Sequence, residues 1–123
     1  MDRKKVLLVD DSSTTLMLER LILSHSPYDI ITAKDGVEAV EKARSERPDL
    51  IVMDLMMPRM GGFEACQQIR THEATRDIPI IVVTTRGEPQ NREAGFAHGC
   101  SDFVTKPLNS VELLSKLRNF LGE

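Results

Sequence analysis

The sequence predicts an α/β domain built around one parallel sheet of five strands with five helices. Five short apolar or β-rich runs recur along the chain, and the intervals between them carry helical periodicity. The central runs are also apolar throughout, without polar alternation, as strands covered on both faces are. Alternating strands and helices imply parallel strands joined by right-handed crossovers.

Taken in order, Val6–Val9 is the first strand, and Met17, Leu18, Leu21 and Ile22 give the first interval its helical spacing. Tyr28–Ala33 is the second strand, followed by a helix marked by Val37, Val40 and Ala43. Leu50–Met53 is the third. Behind it "LMMPRMGG" reads as a loop before the next helix, and Gly61-Gly62 leaves that helix without an obvious side-chain cap. Ile78–Val83 and Asp102–Thr105 are the fourth and fifth strands. The helix between them, within "PQNREAGFAHG", is the weakest element, because it contains Gly95 and few large apolar residues, and is expected to be the most mobile. The last helix runs from Asn109 to Leu121, with Leu113, Leu114, Leu117, Phe120 and Leu121 on one stripe and Asn109 or Ser110 as its cap.

At 123 residues the chain fits a single domain, 1–123, able to bury a core without disulfides or structural metal. The core must be aliphatic, since the sequence holds no Trp and only 4% aromatic residues. A net charge of −3 with dispersed basic residues gives no footprint for nucleic acid or an anionic membrane. The first apolar run is too short for a signal peptide or a membrane span, so the expected location is the cytoplasm. Cys66 and Cys100 lack metal-ligand spacing and read as reduced thiols that pack; His25, His72 and His98 are scattered singly.

Polar chemistry collects at the strand ends. In an open parallel sheet all C-terminal ends lie on one edge, where ligands bind. The first strand ends in Asp10 and Asp11, the third in Asp54, the fourth in Thr84 and Thr85, and the fifth in Lys106. Helix capping accounts for Asp11, Ser12 and Ser13 taken alone, but not for Asp54, which precedes a loop, nor for the lysine. Three carboxylates in one crevice raise one another's proton affinity unless a cation intervenes. Oxygen-only donors suit Mg²⁺, which makes Asp10 and Asp11 candidate metal holders. Asp54, on the central strand, is the candidate nucleophile toward phosphorus, with Lys106 and Thr84 neutralising the phosphoryl oxygens.

Together "VLLVDDS", "LIVMDLMMPRMGG", "IIVVTT" and "DFVTKP" resemble the receiver domain of two-component response regulators, over essentially the whole chain. The resemblance implies a flavodoxin-like, doubly wound sheet in the order 2-1-3-4-5. It implies Asp54 as phosphoacceptor and Asp10 and Asp11 as Mg²⁺ ligands, with Asp54 itself and the backbone carbonyl of Met56. Thr84 becomes the switch hydroxyl, Lys106 the phosphate-pairing cation and Phe103 the aromatic switch residue, which here lacks a phenolic hydroxyl. The bond between Lys106 and Pro107 is then expected to be cis. Met56, Thr85 and Arg86 flank the acceptor, and their bulk predicts a long-lived phosphoryl group.

The function expected is a phosphorylation-dependent signalling switch that catalyses its own modification. The implied partners are a sensor histidine kinase or phosphotransfer domain as donor and an unidentified downstream protein, without direct nucleic-acid contact or membrane insertion. Two other classes compete. A Mg²⁺-dependent aspartyl-phosphate hydrolase would need a second acid two residues after Asp54, where Met56 stands. A flavin-binding module would have to seat a phosphate beside Asp10 and Asp11.

Overall fold

The computed structural model describes residues 3–84, 97–106 and 108–122. Its five strands are β1 (Lys5–Val9), β2 (Asp29–Ala33), β3 (Leu50–Asp54), β4 (Ile80–Thr84) and β5 (Asp102–Thr105). They form one parallel sheet in the order β2-β1-β3-β4-β5, the flavodoxin-like order. Each strand agrees with its apolar run to within two residues. β4 starts at Ile80 rather than Ile78, since Pro79 has no N–H to give a ladder; its carbonyl still accepts from Ile51 N at 2.9 Å.

Four helices stand among the described residues: α1 (Ser13–Ile22), α2 (Gly36–Glu46), α3 (Gly62–Thr71) and α4 (Ser110–Leu121). The sequence predicts five. The additional one, within Pro89–Gly99, falls largely on residues that lie outside the described set, as do Thr85, Arg86 and Pro107 with its expected cis bond.

The sheet is covered on both sides. Leu7, Val9, Ile51, Met53, Ile80 and Val82 turn toward α2 and α3, while Val6, Leu8, Leu50, Val52, Ile81 and Val83 turn toward α1 and α4. This explains the unbroken apolar runs: successive residues enter opposite core layers, and both layers are buried. On α4, Leu113 and Leu117 are fully buried, Leu114 and Leu121 are half-buried, and Phe120 at the stripe's margin is exposed. Asn109 is its cap, its side chain accepting from Glu112 N at 3.0 Å.

α1 departs from the expected face. Met17, Leu18 and Leu21 are exposed, and the residues turned to the sheet are Leu16, Ile22, Leu23 and a buried Glu19. A purely hydrophobic criterion picks the wrong stripe here, because a carboxylate occupies the centre of the inward one.

Gly62 is needed for space rather than for freedom of the turn. A Cβ there would lie 2.6 Å from the carbonyl oxygen of Asp54 and 2.9 Å from Leu55 Cα, and Gly62 N already donates to Leu55 O at 2.9 Å. The start of α3 is therefore pressed against the end of β3. Gly62→Ala is expected to lower stability by about 1–3 kcal/mol, as overpacking does, and to displace the Asp54 backbone. Urea titration of the variant checks this, and an unchanged midpoint would show that the contact relaxes freely.

Candidate functional site

Each site residue is carried to the same edge by the end of a strand. Asp10 follows β1, and its N–H continues the ladder to Ala33 O at 3.1 Å. Asp54 is the last residue of β3, paired with Val83 of β4, and Leu55 N donates to Val83 O at 2.9 Å. Thr84 ends β4 beside Thr105, and Lys106 N donates to Thr84 O at 2.7 Å. Strand pairing thus runs one residue past the strands and fixes the backbone from which Asp10, Asp54, Thr84 and Lys106 project.

The side chains converge as the strand ends predict. Asp10, Asp11 and Asp54 each offer a carboxylate oxygen, all within 4.8 Å of one another. Lys106 Nζ lies 3.5 Å from Asp54 Oδ1 and 3.7 Å from Asp10 Oδ2. Asp10, Asp54 and Thr84 are buried, Asp11 is exposed, and Lys106 is half-buried. Met56 is exposed at 74%, and its backbone favours the charged form of the Asp54 carboxylate. Helix capping is also present: Asp10 Oδ1 accepts from Ser12 N at 2.9 Å, and Ser12 Oγ accepts from Thr15 N at 3.2 Å. Asp10 therefore spends one oxygen on the start of α1 and turns the other into the crevice.

Burial dominates the electrostatics. It pushes the carboxyl groups of Asp10 and Asp54 above their ordinary range, against the opposing pull of Lys106 and of backbone N–H groups. Asp10 Oδ2 accepts no hydrogen bond among the described residues. One ammonium faces two buried carboxylates and a third at the rim.

Glu19 is the residue that the motif reading misses. Its carboxyl group is pushed up to about 8, first by burial and then by the charge of Asp10, with Lys106 opposing. Its Oε1 also accepts no hydrogen bond among the described residues. The available signal was positional: Glu19 sits three residues after Leu16 and four before Leu23, on the apolar stripe itself.

Phe103 lies in the core layer between the sheet and α2 and α3, 4% exposed. That layer also brings together Cys66 and Cys100, whose sulfurs stand 3.5 Å apart. His98 stacks on Phe63, with ring centroids 5.5 Å apart.

Residues 6–118 match the family described as the response regulator receiver domain. The chain belongs to that family. It is a receiver domain of the two-component type, a phosphorylation-dependent switch. It is 39% identical over 118 residues to the alkaline phosphatase synthesis transcriptional regulatory protein PhoP of Bacillus subtilis, covering 96% of this chain and 48% of that protein. It is 37% identical over 117 residues to the DNA-binding dual master transcriptional regulator RpaA of Synechocystis, covering 95% and 48%. The receiver thus spans about half the length of these curated relatives. Among solved structures, the Vibrio cholerae chemotaxis protein CheY4 superposes with a TM-score of 0.91 at 35% identity, over 97% of this chain and 99% of that one. The receiver domain of the sensor histidine kinase PA1611 from Pseudomonas aeruginosa, solved with a magnesium ion coordinated in its active site cleft, gives 0.90 at 30% identity, over 99% and 100%.

Proposed function

We propose that Asp54 is the phosphoacceptor of this receiver, and that Asp10, Asp11 and Asp54, with the backbone carbonyl of Met56, hold the Mg²⁺ its modification requires. The observation that carries this reading is the meeting of three carboxylates, within 4.8 Å of one another, beside the Lys106 ammonium. The donor set fits a hard cation. Asp10 is 1% exposed, its Oδ2 lacks a hydrogen-bond donor, and a buried anion without full compensation is costly. Oxygen atoms at a partly open rim match the preference of Mg²⁺ for carboxylates with retained water. When bound, the ion supplies positive charge against the carboxylates and the phosphoryl oxygens.

The remaining chemistry belongs to the chain. An Asp54 carboxylate oxygen attacks the phosphorus of a phosphohistidine; the O–P bond forms as the P–N bond breaks, and the electron pair leaves with the imidazole nitrogen. Lys106 Nζ, already 3.5 Å from Asp54 Oδ1, sets its charge against the transferred group. The Thr84 hydroxyl, at the end of the neighbouring strand, moves toward the phosphoryl oxygens, and Phe103 repacks in response. Without a phenolic hydroxyl, Phe103 signals by packing alone.

The donor is a sensor histidine kinase or phosphotransfer domain, and the phosphorylated surface is read by a downstream protein. Residues 1–123 act as one cytoplasmic domain. Among the described residues no helix is long and apolar enough to cross a membrane. The net charge of −3 favours protein over nucleic acid as the partner of this chain's own surface, whatever the other half of a DNA-binding relative contacts.

Metal binding supplies the direct test. Mg²⁺ added to chelator-stripped protein should raise the thermal midpoint, with stabilisation of about 2.7 kcal/mol at a hundred times the dissociation constant. Asp11→Asn, at an exposed position, should fold normally and lose most of that shift. An equal shift in the variant, or none in wild type, removes Asp11 from the site.

A further inference from the structure

Cys66 and Cys100 are 34 residues apart in sequence, yet their sulfurs are in hydrogen-bond contact at 3.5 Å. Cys66 lies on the buried face of α3, and Cys100 lies in the segment entering β5, two residues before Asp102. Both belong to the core layer that holds Phe103. We propose that this pair is a redox modification site, oxidised by a small hydroperoxide to an intramolecular Cys66–Cys100 disulfide.

The approach required is small. A disulfide has its sulfurs about 2.05 Å apart, so closing the gap takes about 1.5 Å, within reach of side-chain rotation and a slight shift of the loop before β5. Aliphatic packing alone does not call for two sulfurs in contact. Cys100 is the first to react. It keeps 6% exposure where Cys66 has none, and it follows Gly99, which takes the left-handed conformation at φ 100. Arg70 Nε donates to the Gly99 carbonyl at 2.9 Å, which brings a guanidinium charge beside this thiol. The hydrogen bond shared with Cys66 and the Arg70 charge favour the Cys100 thiolate against the cost of its burial, whereas the same hydrogen bond, and then burial, push the Cys66 thiol up.

The chemistry balances with one equivalent of peroxide. The Cys100 thiolate attacks a peroxide oxygen, the O–O bond breaks, and Cys100 becomes a sulfenic acid as the leaving alkoxide or hydroxide takes a proton. Cys66 then attacks the Cys100 sulfur; the S–S bond forms, the S–O bond breaks, and the hydroxyl leaves as water with the Cys66 proton. Two thiols are oxidised by two electrons and the peroxide is reduced to an alcohol or water, plus a second water. Burial restricts the oxidant to a molecule of hydrogen-peroxide size. A dithiol reductant reverses the bond.

The test treats the reduced chain with a few equivalents of hydrogen peroxide, unfolds it in alkylating reagent and maps the peptides. The expected result is the joint loss of both alkylatable thiols, a peptide linking Cys66 to Cys100, a monomeric chain lighter by two hydrogens, and recovery of both thiols in dithiothreitol. Cys66→Ala should instead stop at a Cys100 sulfenic acid that a dimedone probe captures. Both thiols remaining alkylatable in wild type, a bridge between two chains, or independent overoxidation of each sulfur would overturn the proposal. The wild-type map decides the matter even if the variant fails to fold.

Discussion

Replacing Asp54 with Asn is expected to bring phosphoryl incorporation down to background while leaving the fold intact. The amide keeps the shape of the carboxylate but cannot act as the nucleophile. The fold should not suffer, because burial already holds the Asp54 carboxyl above its ordinary range, so its charged form is a net cost to the metal-free protein. Lys106 retains Asp10 at 3.7 Å as its counter-charge. Labelling from a small phosphodonor with Mg²⁺ present, alongside denaturant titration of both proteins in chelator, checks the two halves. Label entering Asp54→Asn at the wild-type rate would place the acceptor elsewhere.

Metal-free protein should lose stability steadily as pH rises from about 4.5 to about 8, the interval between the unfolded and folded values for Glu19. A carboxyl group raised in the folded state binds its proton more tightly there than in the unfolded chain. The stabilising contribution is therefore full below the unfolded value and gone above the folded one. Over that interval the loss from Glu19 alone amounts to about 5 kcal/mol. Asp10 and Asp54, also raised, add slopes of the same sign. Glu19→Gln should flatten most of the dependence and make the protein more stable than wild type at pH 8. Urea midpoints at several pH values in chelator measure it, and parallel profiles for the two proteins would show that Glu19 is not desolvated in the native state.

Most of what positions the site is legible in the sequence. The apolar runs located all five strands because a strand buried on both faces leaves little room for polar residues, and the residues just past those runs had to face one edge. Asp10, Asp54 and Lys106 therefore meet at that edge, with Thr84 at the end of the neighbouring strand. Two features were hidden, each for its own physical cause. Hydropathy passes over Glu19 and selects the wrong face of α1 because it treats a carboxylate as a surface marker, while this one is held inward and burial raises its proton affinity. The Cys66–Cys100 contact was invisible because it joins α3 to the loop before β5, a pairing that spacing along the chain does not encode. Gly61-Gly62 leaves α3 without a side-chain cap as the sequence predicts, but that Gly62 makes way for the Asp54 carbonyl is visible only in the packing of α3 against β3.

The two core layers impose a rule of parity on the acceptor. Met53 belongs to the layer under α2 and α3 and Val52 to the opposite one, so Asp54 reaches the crevice only while the count of residues along β3 is conserved. Removing one residue from the interior of β3 would send every later side chain to the other face and bring Leu55 to the place of the carboxylate. Length changes in the loops joining strands to helices leave that count untouched. The domain is thus free to vary in its connections while its chemistry is locked to odd and even positions in five short strands.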